Sequence, residues 1–139
     1  MAASIIGVWK LQHLIRTNLH ICETVLPYGN EPYGFITFMA DGTFSNTVAS
    51  QDNQGQLIAE SGKYITRAKK KVELRFRSAF DETGIENTEI RSYQIDHDVL
   101  TIASCLQDES GYEYLETLVW HRWPVRTENQ GNPSVTVNA

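Results

Sequence analysis

The chain is punctuated at short intervals, and that punctuation limits what it can fold into. Eight segments alternate apolar and polar residues with a period of two: 8–16, 35–39, 43–49, 57–66, 71–78, 88–95, 99–104 and 112–122. They are rich in Val, Ile, Thr and aromatic side chains, which pack well on a pleated surface. Between them, Ala40-Asp41-Gly42, Asp96-His97-Asp98 and the stretches 67–70, 81–84 and 108–111 carry residues that reverse a chain tightly. No segment holds a 3.6-residue period long enough for a major helix, although 4–7 has room for one 3₁₀ turn. Sequential strands joined by hairpins predict an all-β, antiparallel, up-and-down meander. Closing it into a β-barrel removes the exposed edges that invite aggregation, and a sandwich is the alternative.

With 139 residues and 41% hydrophobic content, the chain suits one domain, placed at 1–123. The remainder, 124–139, has no aromatic residue and no Leu, Ile or Met, and reads as a tail outside the core. Twelve basic against seventeen acidic residues leave a net charge of −5, which argues against a nucleic-acid partner. No stretch approaches the ~20 apolar residues of a membrane span. The first residues lack the basic and apolar regions of a signal peptide. The Asn132-Pro133-Ser134 triplet is blocked as a sequon by its proline. Cys22 and Cys105 are far apart and form no metal-type spacing, so they are expected as buried free thiols. Together these features predict an intracellular, cytoplasmic protein.

One connection is longer than the rest. Residues 17–33 carry Pro27, Tyr28, Gly29, Pro32 and Tyr33 together with the apolar run Leu19-His20-Ile21-Cys22. Long connections in compact domains are usually functional. This one is expected to be an ordered lid with a short strand of its own.

Several segments carry a resemblance. Gly7-Val8-Trp9 resembles the GxW signature at the first strand of lipocalins. The run 32–45, Ser61-Gly62-Lys63-Tyr64, Arg91-Ser92-Tyr93-Gln94-Ile95 with Leu100, and Leu118-Val119-Trp120-His121-Arg122 resemble, in the same order, segments of the small lipocalin-like domain family. The resemblance covers most of residues 7–123. It implies an antiparallel calycin-type barrel with an interior ligand cavity. It also implies that Trp9 closes the barrel floor with Arg122 packed across it as a cation–π pair. The family often has a histidine where Leu74 stands, so an activity that depends on that histidine has no support here. Some relatives in microbial natural-product pathways are cofactor-free cyclases or isomerases, and classical lipocalins carry apolar ligands; the fold itself does not choose.

Strand alternation divides the faces. In the first strand Trp9, Leu11, His13 and Ile15 are expected inside, with Lys10, Gln12 and Arg16 outside. In the last, Tyr112, Tyr114, Glu116, Leu118, Trp120 and Arg122 share the inner face. The family pattern puts Arg91 and Tyr93 inward. A three-residue Ala40-Asp41-Gly42 turn with Gly42 left-handed would pair Ile36 with Asn46 and Phe38 with Phe44, placing Asn46 inside.

These faces define the candidate site. His13 carries an imidazole, the side-chain group best suited to proton transfer near neutral pH, and is expected to move a proton, oriented by Glu116. Its plainer role is a neutral core histidine bonded to a tyrosine. Arg91 is expected to stabilise an enolate or a polarised carbonyl, or else to form an ion pair with Glu116 or Glu89. Tyr93, Tyr114 and Asn46 would offer hydrogen bonds to the substrate, and Phe38, Phe44, Tyr33 and Trp120 would line the pocket. His97 reads as part of a solvated turn, His121 points outward and His20 belongs to the lid. Arg67, Lys69, Lys70, Lys71, Arg75 and Arg77 are half of the basic residues and read as a solvated edge that resists sheet-to-sheet pairing. No Walker A, GxGxxG, GxSxG, HExxH or EF-hand pattern occurs, so neither a cofactor nor a metal is expected. The expected function is a cofactor-independent cyclase, isomerase or lyase acting on a small hydrophobic metabolite. The alternatives are a non-catalytic carrier of such a molecule and a filled barrel that acts as a homo-oligomeric interaction domain, such as a homodimer.

Overall fold

The structure, a computed structural model, describes residues 4–50, 57–80, 82–107 and 109–124. The tail expected from residue 124 onward therefore lies outside the described residues, apart from Pro124. Nine strands run in chain order: β1 (Gly7–Asn18), β2 (Glu23–Val25), β3 (Tyr33–Phe38), β4 (Thr43–Ala49), β5 (Leu57–Arg67), β6 (Lys71–Ser78), β7 (Asn87–Asp96), β8 (Val99–Gln107) and β9 (Glu113–Trp123). Each of the eight segments read from the alternation is a strand, with ends shifted by up to three residues. The 3₁₀ turn expected at 4–7 is not formed. Gly7 already belongs to β1, and the Ile6 amide donates to the Ser4 hydroxyl instead.

Strands β3 to β9 pair in sequence order, and β1 pairs with both β3 and β9, so eight antiparallel strands close into a barrel. Closure leaves no open edge in the ring, which is the physical reason a meander prefers it to a flat sheet. β2 pairs with the last three residues of β1, Arg16 to Asn18, beyond the reach of β3. The long connection thus carries the short strand expected of it. Among the described residues no helix is long and apolar enough to cross a membrane.

The inner faces of the strands meet in one apolar core that includes Trp9, Leu14, Ile36, Phe38, Leu74, Leu100 and Trp120. Phe38 lies 6.0 Å from Phe44 and 4.9 Å from Tyr64, and Phe44 lies 6.3 Å from Phe76, which fills the floor with aromatic rings. Gly62 lets β5 bend close to β6 there, because a Cβ would run into the Arg75 carbonyl oxygen. Gly42, at φ 91°, closes the β3–β4 turn between Met39 and Thr43, and Ile36 and Phe38 face Asn46 and Phe44 as expected.

At the floor the Arg122 guanidinium lies 4.2 Å from the Trp9 ring centroid. The Trp9 indole donates to the Ile5 carbonyl at 2.9 Å. Arg122 donates to the Asp98 carboxylate and to the carbonyls of Ser4 and Ile6. Cation, ring and chain entry are locked together at the closed end.

Both cysteines are free as expected, but they are exposed rather than buried. Cys22 sits at φ 58° in the tip between β1 and β2, and Cys105 lies on the outer face of β8. Neither position has core to bury against.

Candidate functional site

One irregularity decides which ionisable groups enter the barrel. Along the β1–β9 seam, Leu11 faces Trp120 and Leu14 faces Leu118, so three steps on β1 match two on β9. The extra residue is a β-bulge at Gln12 and His13, and a bulge moves every later side chain to the opposite face. Leu14 and Arg16 therefore point inward. His13 and Ile15 point away, with His13 exposed. The expectation that His13 is the interior proton carrier is overturned, and so is its pairing with Glu116. Arg16, expected outside, takes the inward place.

Arg16 Nη2 donates to Glu116 Oε2 at 2.8 Å, and its guanidinium lies 4.7 Å from the Tyr114 ring centroid. Tyr114 and Glu116 face inward on β9 as expected. Tyr28 of the lid connection is buried beside them, close enough to feel the charges of Glu116, Arg16 and Glu60. Burial, reinforced by Glu116, pushes the Tyr28 phenol up. The lid connection thus adds a buried tyrosine to the polar cluster.

Across the barrel lies a second polar group. Arg91 is inward on β7, with its side chain 14% exposed, and it holds Glu89 Oε1 through Nη2 at 2.7 Å and Nε at 3.0 Å. Of the two partners expected for Arg91, the structure forms the pair with Glu89, and Glu116 is bonded to Arg16. Asn46 is inward on β4 and its amide donates to Glu60 Oε1 on β5 at 3.2 Å. Among the described residues, Glu60 is the inward carboxylate with no arginine bonded to it. Burial pushes its carboxyl above the ordinary glutamate range. Arg91 and the Asn46 amide pull against that shift, while Glu89 and Glu116 add to it.

The remaining expected residues fall in different places. Tyr93 is inward and packs against the core. Phe38, Phe44 and Trp120 are buried in the apolar core. Tyr33 is not in the pocket at all. It points outward, 56% exposed, in an edge-on contact with Phe35 and beneath Lys10. The strand begins at Tyr33, so Gly34, Ile36 and Phe38 take the inner face. His97 lies in its solvated turn at φ 57°. The basic residues Lys71, Arg75 and Arg77 share the outer face of β6 with Glu73, as expected.

At the open end a cleft of about 290 Å³ is lined by Arg16, Asn18, Ile21, Glu23, Val25 and Tyr114. Arg16 and Tyr114 belong both to the cleft and to the interior cluster. Three buried atoms near this end, Arg16 Nε, Asn46 Oδ1 and Ser50 Oγ, have no hydrogen-bond partner among the described residues. Such groups are costly unless something satisfies them. No three His, Cys, Asp or Glu side chains among the described residues gather as metal ligands.

Arg16, Tyr28 and Glu60 were missed by sequence reasoning. Glu60 had a signal: Ile58, Glu60, Gly62 and Tyr64 alternate on one face of β5, and Tyr64 belongs with the core. The bulge had a weaker one, a polar Gln12-His13 pair set between Leu11 and Leu14.

No family model and no curated protein matches this chain. Among solved structures, it is similar to one described as a redesigned β-barrel, with 13% identity, 89% of this chain and 92% of that chain covered, and a TM-score of 0.44. The chain itself is an eight-stranded, closed, antiparallel β-barrel with an ionised cluster on its inner wall.

Proposed function

We propose that the barrel takes a small, largely apolar metabolite through its open end and promotes a proton transfer on it without a cofactor. The reaction class is isomerisation, cyclisation or elimination. The observation that carries this reading is Glu60, an inward carboxyl with a raised proton affinity, no arginine bonded to it and an amide donor to orient it. A general acid–base works best when its pKa approaches ambient pH. Glu60 replaces His13 in that role. Tyr28 covers the site, and Arg91 and Arg16 supply fixed positive charge for a developing oxyanion. The lipocalin-like pattern from Gly7-Val8-Trp9 to Arg122 supports a ligand-binding barrel of this kind. A carrier is the second reading, and it is favoured by the ion pairing of both arginines, which leaves few groups free for chemistry.

Kemp elimination of nitrobenzisoxazole tests the assignment without knowledge of the natural substrate. A desolvated carboxylate removes the ring C–H proton, the N–O bond breaks, and a coloured cyanophenolate forms. The expected result is a rate above that of free acetate, rising with pH through a value above the ordinary glutamate range and lost in Glu60→Gln. An equal rate in Glu60→Gln overturns the catalytic reading.

A further inference from the structure

We propose that the ligand carries a protonated nitrogen, and that this cation is held between the Glu60 carboxylate and Asn46 Oδ1. This rests on the ligand-site reading above and names its substrate class. Charge accounting is the first argument. Three interior carboxyls, Glu60, Glu89 and Glu116, face two guanidiniums. Arg16 is bonded to Glu116 and Arg91 to Glu89, so ionisation of Glu60 leaves one negative charge without a bonded counter-ion. Placing a carboxylate or phosphate there would add like charge beside three others. A cation removes the imbalance.

Hydrogen-bond accounting is the second argument, and it is independent of charge. Asn46 is 4% exposed, and its Nδ2 is spent on Glu60 Oε1. Its Oδ1 is a buried acceptor with no partner among the described residues. Ser50, on the same inner face beyond Val48, also has an unpartnered buried hydroxyl. An acceptor beside a carboxylate calls for a donor, and an ammonium supplies three. The guanidiniums cannot fill this place, since each already serves its own glutamate.

The assignment also fits proton transfer. When the ammonium N–H bond breaks, its electron pair stays on nitrogen and an O–H bond forms on Glu60. Both charges then vanish at a partly desolvated position on the inner wall, where separated charges are less well screened than in bulk water. The neutral amine so formed is a nucleophile, which suits ring closure.

Three probes of nearly equal shape test this by calorimetry at mildly alkaline pH: naphthylethylammonium, naphthylethanol and naphthylacetate. The expected order is the ammonium about tenfold tighter than the alcohol, with the carboxylate weakest. Glu60→Gln should abolish the preference for ammonium while still binding the alcohol, which shows that the variant is folded. Acidification should erase the preference in the wild type as Glu60 takes up its proton. Binding of the alcohol or the carboxylate at least as tightly as the ammonium overturns the cation assignment alone. Absence of binding by all three overturns it together with the ligand-site reading.

Discussion

Arg16 Nη2 and Glu116 Oε2 are 2.8 Å apart across the β1–β9 seam, and they meet only because one extra residue on β1 turns Arg16 into the barrel. Their side chains are 36% and 16% exposed, so solvent screens the pair in part. Arg16→Met strands the Glu116 carboxylate inside, at an expected cost of about 1–3 kcal/mol in denaturant unfolding. The double variant Arg16→Met/Glu116→Leu should lie closer to wild type than either single change, because no unpaired charge remains.

The bulge itself can be tested by length. Deleting Gln12 removes the extra residue but leaves Leu11 opposite Trp120 and Leu14 opposite Leu118, so Leu14 and Arg16 stay inward and the variant should keep cooperative thermal unfolding. His13→Ala, on an exposed outward side chain, should stay within about 0.5 kcal/mol of wild type. A large loss in His13→Ala would restore that histidine to the interior.

Glu60 binds its proton more tightly in the folded chain than in the unfolded one. Its contribution to stability is therefore complete below the ordinary glutamate pKa and falls as pH rises through the raised value. Glu60→Gln keeps a neutral side chain at every pH. It should match wild type in acid and exceed it above that window, as measured by urea midpoints across a pH series.

Glu73 on the outer face should behave in the opposite sense. Hydrogen bonds from Arg67 and Arg75 hold its carboxyl below the ordinary range. Its contribution is present above the unfolded pKa and is lost as pH falls through the lowered value. Glu73→Gln should be less stable than wild type at neutral pH and indistinguishable in strong acid. The two glutamate variants thus cross in sign on one pH axis.

At the floor, Trp9→Ala should cost about 3–5 kcal/mol through lost packing. Arg122→Lys keeps the charge but not the planar fork that spans the Asp98 carboxylate and the Ser4 and Ile6 carbonyls. It should recover less than half of the stability lost in Arg122→Ala, in the same thermal measurement.

The sequence by itself determined the strands, the β3–β4 register and the Trp9–Arg122 closure. Each depends on local alternation, on a turn whose φ only glycine adopts readily, or on residues matched in order along the chain. Tertiary structure decided the site. His13 gave way to Arg16 because a one-residue bulge is invisible to a period-two count and yet reverses every face after it. Tyr28 was hidden in a connection with no period to read. Glu60 could be placed inside by alternation, but not its lack of a guanidinium. Arg16 meets Glu116 only once barrel closure brings β1 beside β9, whereas Arg91 takes Glu89 from its own strand; Coulomb energy depends on distance in space rather than on separation along the chain.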